Sequence, residues 1–109
     1  MELKPLLKFM VDKQGSDLYL SNGVPPGMKV DGKLAWVGKE ALAAETIESM
    51  AEGIMSEAQQ ATFEREKELN MALSYSGLGR FRVNLFRQRG TVGMVVRRIN
   101  TQVPSFEEL

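Results

Sequence analysis

The sequence predicts an α+β domain, in which an antiparallel sheet of about six strands has helices packed on one face. Apolar residues recur at helical spacing in three segments and alternate with polar residues in others. The order is helix, strand, hairpin, two helices and three strands, and an antiparallel sheet with helices on one face satisfies it. A chain of 109 residues suits one domain with a single core.

The first third of the chain contains a helix, a strand and a hairpin. Residues 5–14 predict the helix, because Leu and Met recur at core-facing spacing, Pro5 lies near the first turn and a glycine follows the end. Residues 16–21 predict a short strand. Residues 28–30 and 33–37 then flank Asp31-Gly32, which is a strong signal for a type I′ hairpin.

Trp36 lies in the second strand of that hairpin. Nothing near it suggests a ligand, so we expect it to pack in the core or on a face of the sheet.

Residues 44–55 predict an amphipathic helix with a core-facing apolar side. Its polar face carries Glu45, Glu48 and Glu52, and we expect these carboxylates to be solvated rather than to act in acid–base catalysis. Ala43-Ala44 offers no capping side chain, which weakens the start of this helix by about 1 kcal/mol.

A second helix is predicted to restart immediately afterwards. Ser56 and Gln59 form a capping box, so this helix should run to about residue 67. Its spacing predicts that Ala58, Ala61 and Phe63 are buried.

The last third predicts three strands. Residues 69–75 alternate apolar and polar side chains, which is typical of a half-buried strand. Residues 79–99 hold six of the seven arginines, and residues 69–99 contain no Asp, Glu or Lys. Alternation in the first half of this arginine-rich stretch and β-branched residues in the second half predict two strands that meet at Arg89-Gly90.

An even-length loop at Arg89-Gly90 would set the register of these two strands. Arg82 would then face Arg97 with Asn84 beside them, while apolar pairs fill the other face. Opposed guanidiniums are destabilising unless an anion such as a phosphate or a carboxylate lies between them. Two alternatives remain open: the arginines splay into water or pair with carboxylates elsewhere, and an odd-length loop would remove the opposition.

Composition excludes several classes of site. The chain has no Cys and no His, which excludes disulfides, zinc sites with Cys or His ligands, and Ser-His-Asp or Cys-His catalysis within it. No Lys is followed by Ser or Thr, so there is no P-loop and no ATP hydrolysis by that route. A formal net charge of zero argues against a general nucleic-acid binder.

Targeting signals also bear on location. No apolar run is long enough to span a bilayer, and no signal-peptide core is present at the N-terminus. The default expectation is the cytoplasm. Near the C-terminus, Val103-Pro104 breaks the last strand and Ser105 with Glu108 forms a capping box, so we expect a longer protein divided at a domain boundary.

Several stretches carry a family resemblance when they are taken in chain order. They are GSDLYL at 15–20, GVPP at 23–26, KVDG at 29–32, IM at 54–55 with Gln59, Gln60 and Phe63, GRFRVN at 79–84, QRG at 88–90, GMV at 93–95, RRI at 97–99 and VPSFEEL at 103–109. Together they resemble the N-terminal domain of the type IV pilus retraction ATPases, the PilT/PilU motors of twitching motility. The GMVVRRI form of the last strand is more similar to the PilU branch.

The resemblance implies a PAS-like domain at residues 1–102 and the start of an interdomain linker at 103–109, leading to a RecA-like ATPase domain. It also implies a homo-hexameric motor in the bacterial cytoplasm, at the inner-membrane base of the pilus. The implied partners are the RecA-like domains of the same chain and of neighbouring subunits, and a paralogous retraction ATPase. Neither nucleic acid nor membrane insertion is implied.

The resemblance also implies a site. In the family, ATP lies between the two domains, with Mg in the full-length parent and no cofactor in this domain alone. Arg80, Arg82 and Asn84 match the family's Arg-Phe-Arg-Val-Asn, and Arg97 matches the arginine that precedes the final Ile region. These four residues are the candidate nucleotide-binding residues, with no catalytic and no metal-ligating residue in the chain.

A different class of function stays open as the alternative. A free-standing PAS-like sensor or protein-interaction module would need an enclosed ligand pocket, lined by residues such as Met50, Ile54 and Trp36. Nucleic-acid binding through the arginines is disfavoured, because the polar face of the strands has few aromatic residues on which bases could stack.

Overall fold

The computed structural model describes residues 2–99. Three helices and six strands lie within this range: α1 Leu3–Asp12, β1 Asp17–Leu20, β2 Gly27–Val30, β3 Lys33–Trp36, α2 Ala44–Ile54, α3 Glu57–Glu66, β4 Glu68–Tyr75, β5 Gly79–Gln88 and β6 Thr91–Ile99. The predicted α+β class and element order are confirmed. The expectations for residues 103–109 lie outside the described residues.

All six strands form one antiparallel sheet in the order β3-β2-β1-β6-β5-β4. The last strand lies in the middle, between β1 and β5. The β1–β6 pairing joins two parts of the chain that are about as far apart in sequence as the described residues allow, since Asp17 is the partner of Arg97. This pairing places side chains from both ends of the chain side by side.

The helices cover one face of the sheet, and the core lies between them. The buried strand residues on this face alternate along each strand, as expected for a half-covered sheet. They are Leu18, Leu20, Met28, Phe81, Val83, Leu85, Val92, Met94 and Val96. We refer to the other face of the sheet, which none of the helices within residues 2–99 covers, as the open face.

Helix α1 begins two residues earlier than predicted. Pro5 lies in its first turn, where a backbone N–H has no partner inside the helix, so the helix can start before the proline. Gln14 then adopts a left-handed φ of 59° and the N–H of Gly15 donates to the carbonyl of Met10 over 2.8 Å, which ends the helix.

Two tight turns set the registers of the hairpins. Asp31 and Gly32 have φ of 52° and 79°, and Arg89 and Gly90 have φ of 55° and 81°. Two consecutive positive φ values are typical of the type I′ turn, whose twist matches that of the strands. Both hairpins therefore have two-residue loops, and the even loop length at Arg89-Gly90 is confirmed.

Helix α3 confirms the predicted capping box but not the predicted buried face. The Ser56 side chain accepts from the Gln59 N–H over 3.1 Å, and the Gln59 side chain accepts from the Ser56 N–H over 2.8 Å. Phe63 is buried, whereas Ala58 and Ala61 are exposed. At 3.6 residues per turn both alanines lie on the side of the helix away from Phe63, so the prediction for them was wrong.

Ala43→Ser should stabilise the protein by about 1 kcal/mol. Ala43 is the N-cap of α2, has extended φ and ψ of −86° and 151°, and supplies no side-chain cap. A serine hydroxyl there can accept one of the unpaired N–H groups of the first turn. Urea unfolding followed by circular dichroism measures the gain. Ala44→Ser, one residue into the helix, is the control and should give no gain; equal gains at both positions would contradict the capping explanation.

Candidate functional site

The open face carries a row of charged side chains that crosses the sheet in register. From β3 to β4 the row reads Leu34, Lys29, Asp17, Arg97, Arg82 and Ala72. Adjacent strands lie about 4.8 Å apart, so each side chain is a near neighbour of the next. Three cations and one carboxylate meet at the middle of this row, which gives this part of the open face a positive potential.

Arg82 and Arg97 are direct cross-strand partners, as the hairpin register predicted. Both are exposed. Both lie on the open face because their strand neighbours, Phe81 and Val83 beside Arg82 and Val96 beside Arg97, are buried on the helix-covered face. Within residues 2–99, no carboxylate forms an ion pair with Arg80 or Arg82. The two guanidiniums therefore share one region of the surface, and Arg82 can pair there with an external anion.

Arg97 does have a carboxylate of its own domain. Its Nε donates to Oδ2 of Asp17 over 3.3 Å, and the arginine side chain remains 72% exposed. The Ser16 hydroxyl donates to the other oxygen of Asp17 over 2.7 Å. The alternative in which the arginines pair within the domain thus holds for Arg97 and, among the described residues, not for Arg82.

Asn84 and Arg80 flank the arginine pair along β5. Asn84 is half-buried, and its Nδ2 donates to Oδ1 of Asn70 on β4 over 2.8 Å. Arg80 is exposed, about 7 Å along the strand from Arg82. All four candidate residues line one shallow depression of about 510 Å³. Its remaining lining residues are Asn70, Met71, Ala72, Val83, Val95 and Ile99.

The chemistry of this depression is that of anion binding. Guanidinium forks bind phosphate or carboxylate groups bidentately, and the amide of Asn84 adds a polar group at the edge. Among residues 2–99, no group of three His, Cys, Asp or Glu side chains is arranged to hold a metal ion. The site can therefore bind and orient an anion with its own side chains.

None of the helices within residues 2–99 has the length and apolar character needed to cross a membrane.

A second charged cluster lies on the helix-covered side, where the sequence predicted only a solvated helix surface. Arg87 donates to Glu48 on α2 over 3.2 Å and to Glu64 on α3 over 3.0 Å. Its guanidinium lies over the ring of Phe63, 5.4 Å from the centroid. Burial of Arg87 opposes its charge, but the two carboxylates together outweigh this and raise its pKa above the ordinary value. Arg87 thus ties both helices to β5.

The ligand pocket required by the sensor alternative is not assembled by the residues named for it. Trp36 pairs with Gly27 on the open face and is 57% exposed. Met50 is buried in the core on the opposite side of the sheet. These two side chains therefore cannot line one enclosed pocket. Trp36 instead packs over Gly27, a position where a Cβ would lie 3.5 Å from the indole ring.

Comparison with known proteins gave consistent results. No protein-family model matches the chain. The chain is 49% identical over all 109 residues to the type IV pilus ATPase PilU of Pseudomonas aeruginosa. It is 35% identical, over the same length, to the type IV pilus retraction ATPase PilT of that organism. The chain spans 28% and 32% of the length of these two relatives.

Solved structures agree with the sequence matches. A crystal structure of the pilus retraction motor PilT with bound ADP superposes on the whole chain with a TM-score of 0.89 at 27% identity, and the match covers 32% of that protein. The ATPase DotB of Legionella pneumophila superposes on 97% of the chain with a TM-score of 0.79, covering 31% of DotB. At 18% identity the DotB match shows the shared fold alone.

Proposed function

We propose that this chain, which corresponds over its whole length to the N-terminal part of the PilT/PilU type IV pilus ATPases it matches, is the non-catalytic N-terminal domain of a pilus retraction motor. Its role in that motor is to contribute arginines of the open face to an ATP-binding cleft and to pack against neighbouring subunits. Hydrolysis belongs to a RecA-like domain that follows in the longer protein. This division of labour fits a chain without a P-loop.

One observation carries the proposal about the cleft. Arg82 and Arg97 are opposed on the open face, and Arg82 has no carboxylate partner within residues 2–99. Two guanidiniums held together by sheet register are destabilising to one another and become favourable once a polyphosphate lies between them. The similarity to a motor that was crystallised with ADP makes a nucleotide the best candidate for that anion.

The rest of the proposal concerns the assembly. The full-length parent binds ATP with Mg, forms a homo-hexamer and works in the cytoplasm at the base of the pilus, alone or with a paralogous retraction ATPase. Residues 1–102 form the N-terminal domain, and residues 103–109 begin the linker. The open face then meets RecA-like domains of the same chain and of a neighbouring subunit, which supply the other half of the nucleotide site.

The test uses the full-length protein encoded by the gene. We expect a Gly-x-x-x-x-Gly-Lys-Ser/Thr motif within a few tens of residues after Leu109, and ATPase activity in the purified protein. Deleting residues 1–102 should abolish most of this activity, whereas a deletion that merely removed a passive appendage would leave it intact. Full activity in the deleted form, or a reading frame without the motif, would contradict the proposal.

A further inference from the structure

Asp17 is a carboxylate in a row whose other charged members, Lys29, Arg97 and Arg82, are cations. In the charged row it lies between Lys29 on β2 and Arg97 on β6. It is only 7% exposed, so it contributes little surface that a ligand could reach. A carboxylate in this place weakens the positive potential of the open face, which calls for an explanation if the face binds an anion.

Both oxygens of Asp17 are engaged. Oδ1 accepts from the hydroxyl of Ser16 over 2.7 Å, and Oδ2 accepts from Nε of Arg97 over 3.3 Å. The bond to Arg97 uses the inner nitrogen of the guanidinium. Both terminal nitrogens therefore stay available among the residues that the structure describes, on a side chain that is 72% exposed. Asp17 holds the arginine by its stem side and leaves the outer fork for another partner.

This ion pair is poorly placed to stabilise the fold. Its net contribution is small, because water screens the exposed arginine, the long side chain loses rotamer freedom on pairing, and the nearly buried carboxylate loses its hydration. That same loss of rotamer freedom is useful at a binding site. An arginine already ordered by Asp17 does not have to be ordered again when it binds a ligand.

The geometry points to Asp17 as a positioning residue, which orients the outer fork of Arg97 so that it and Arg82 bind one polyphosphate together. Ser16 fixes the carboxylate in turn. This inference rests on the proposed nucleotide-binding function of the open face. Asp17 on β1 and Ser16 in the preceding connection do not touch the ligand, but together they determine how well Arg97 binds it.

Charge and positioning predict opposite changes in ATP affinity when this carboxylate is lost. Asp17→Asn removes a negative charge beside the anion, so charge alone would strengthen ATP binding. Loss of positioning frees the Arg97 side chain, and we expect ATP binding to weaken about fivefold. Ser16→Ala changes no charge and leaves Asp17 less firmly held, so it should weaken binding by a smaller factor.

A double-mutant cycle in the full-length protein tests this, with ATP as the probe and the dissociation constant measured by calorimetry. The variants are Asp17→Asn, Arg97→Ala and both together. If Asp17 acts through Arg97, Asp17→Asn weakens binding in the parent and has no such effect when Arg97 is already alanine. In the 109-residue chain, the Nε–H resonance of Arg97 should also lose its hydrogen-bonded shift in Asp17→Asn.

The outcomes separate this inference from the proposed function. Tighter or unchanged ATP binding by Asp17→Asn, or equal weakening with and without Arg97, would overturn the positioning role while the nucleotide site stands. If Arg97→Ala and Arg82→Ala both bind ATP as the parent does, the proposed function itself fails. If Asp17→Asn does not fold, Ser16→Ala replaces it in the double-mutant cycle with Arg97→Ala. If Ser16→Ala weakens ATP binding equally when Arg97 is alanine, the positioning role is excluded.

Discussion

Under the proposed function, Arg82→Ala and Arg97→Ala are each expected to lower ATP turnover by the full-length protein at least about tenfold. In the proposed site each change removes one charge-assisted fork from the polyphosphate, and a hydrogen bond to a charged group contributes about 1.5–3 kcal/mol. A tenfold change in rate corresponds to about 1.4 kcal/mol. Steady-state phosphate release by the purified full-length protein is the measurement, with size-exclusion chromatography to report assembly separately.

Arg82→Ala should leave the folding of the domain intact or slightly improve it. Arg82 and Arg97 face each other across β5 and β6, and like charges in this position are destabilising. Arg82→Ala removes that repulsion and breaks no ion pair within residues 2–99. We expect a gain of about 0.2–1 kcal/mol in urea unfolding at low salt, and a smaller gain at high salt. Activity would thus fall while stability rises, which is typical of a residue kept for binding.

Matched variants make this pair of results specific. Arg65→Ala removes an exposed arginine from α3, on the helix-covered side, and should leave ATP turnover unchanged. Arg82→Lys keeps the charge but loses the planar fork, so its turnover should fall between the parent and Arg82→Ala. Unchanged turnover and assembly in both alanine variants would refute the assigned role. Equal loss in Arg65→Ala would indicate a general charge effect.

The register of the arginine hairpin could be predicted because its determinants are local. Arg89-Gly90 is a two-residue turn in which both residues take positive φ, and this fixes every pair along β5 and β6. The opposition of Arg82 and Arg97 follows from that count alone. Alternation then assigns both residues to the face opposite the core. No knowledge of the rest of the fold is needed for either step.

The partner of Arg97 could not be predicted in this way. Asp17 lies on β1, and the hydrogen bond that joins it to Arg97 spans 80 positions of the sequence. Which strand lies beside β6 depends on how the whole sheet assembles, which no local turn encodes. Alternation does place Asp17 on the face opposite Leu18 and Leu20. The sequence therefore indicates the face that Asp17 occupies but not the neighbour it meets.

The role of Arg87, by contrast, is indicated by its position in the alternating pattern of β5. Arg87 falls in step with Phe81, Val83 and Leu85, which alternation assigns to the core side. An arginine at such a position needs a carboxylate from the elements packed on that side. Glu48 on α2 meets that need, so the surface predicted to be solvated includes a carboxylate that pairs with Arg87.

Arg87→Ala is expected to lower the free energy of unfolding by about 2–3 kcal/mol, which is large for a domain of this size. The side chain is 17% exposed, bridges Glu48 and Glu64, and covers the ring of Phe63. Its removal releases α2 and α3 from β5 and uncovers that ring. Because the two carboxylates raise the pKa of Arg87, its guanidinium stays charged through its ordinary range, and the stability linked to its own titration is lost only in strong alkali. Urea unfolding at neutral pH measures the loss.

Arg87→Met separates the two parts of that effect, since methionine restores apolar cover over Phe63 without the charge. Glu48 and Glu64 are 41% and 60% exposed, so water can rehydrate them and no bare buried carboxylate is left behind. We therefore expect Arg87→Met to lose less than half as much stability as Arg87→Ala. Arg65→Ala, which removes an exposed pair within α3, should lose little. If Arg87→Ala were no less stable than Arg65→Ala, the apolar core alone would hold the helices on the sheet, and the ion pairs of Arg87 would contribute nothing to that attachment.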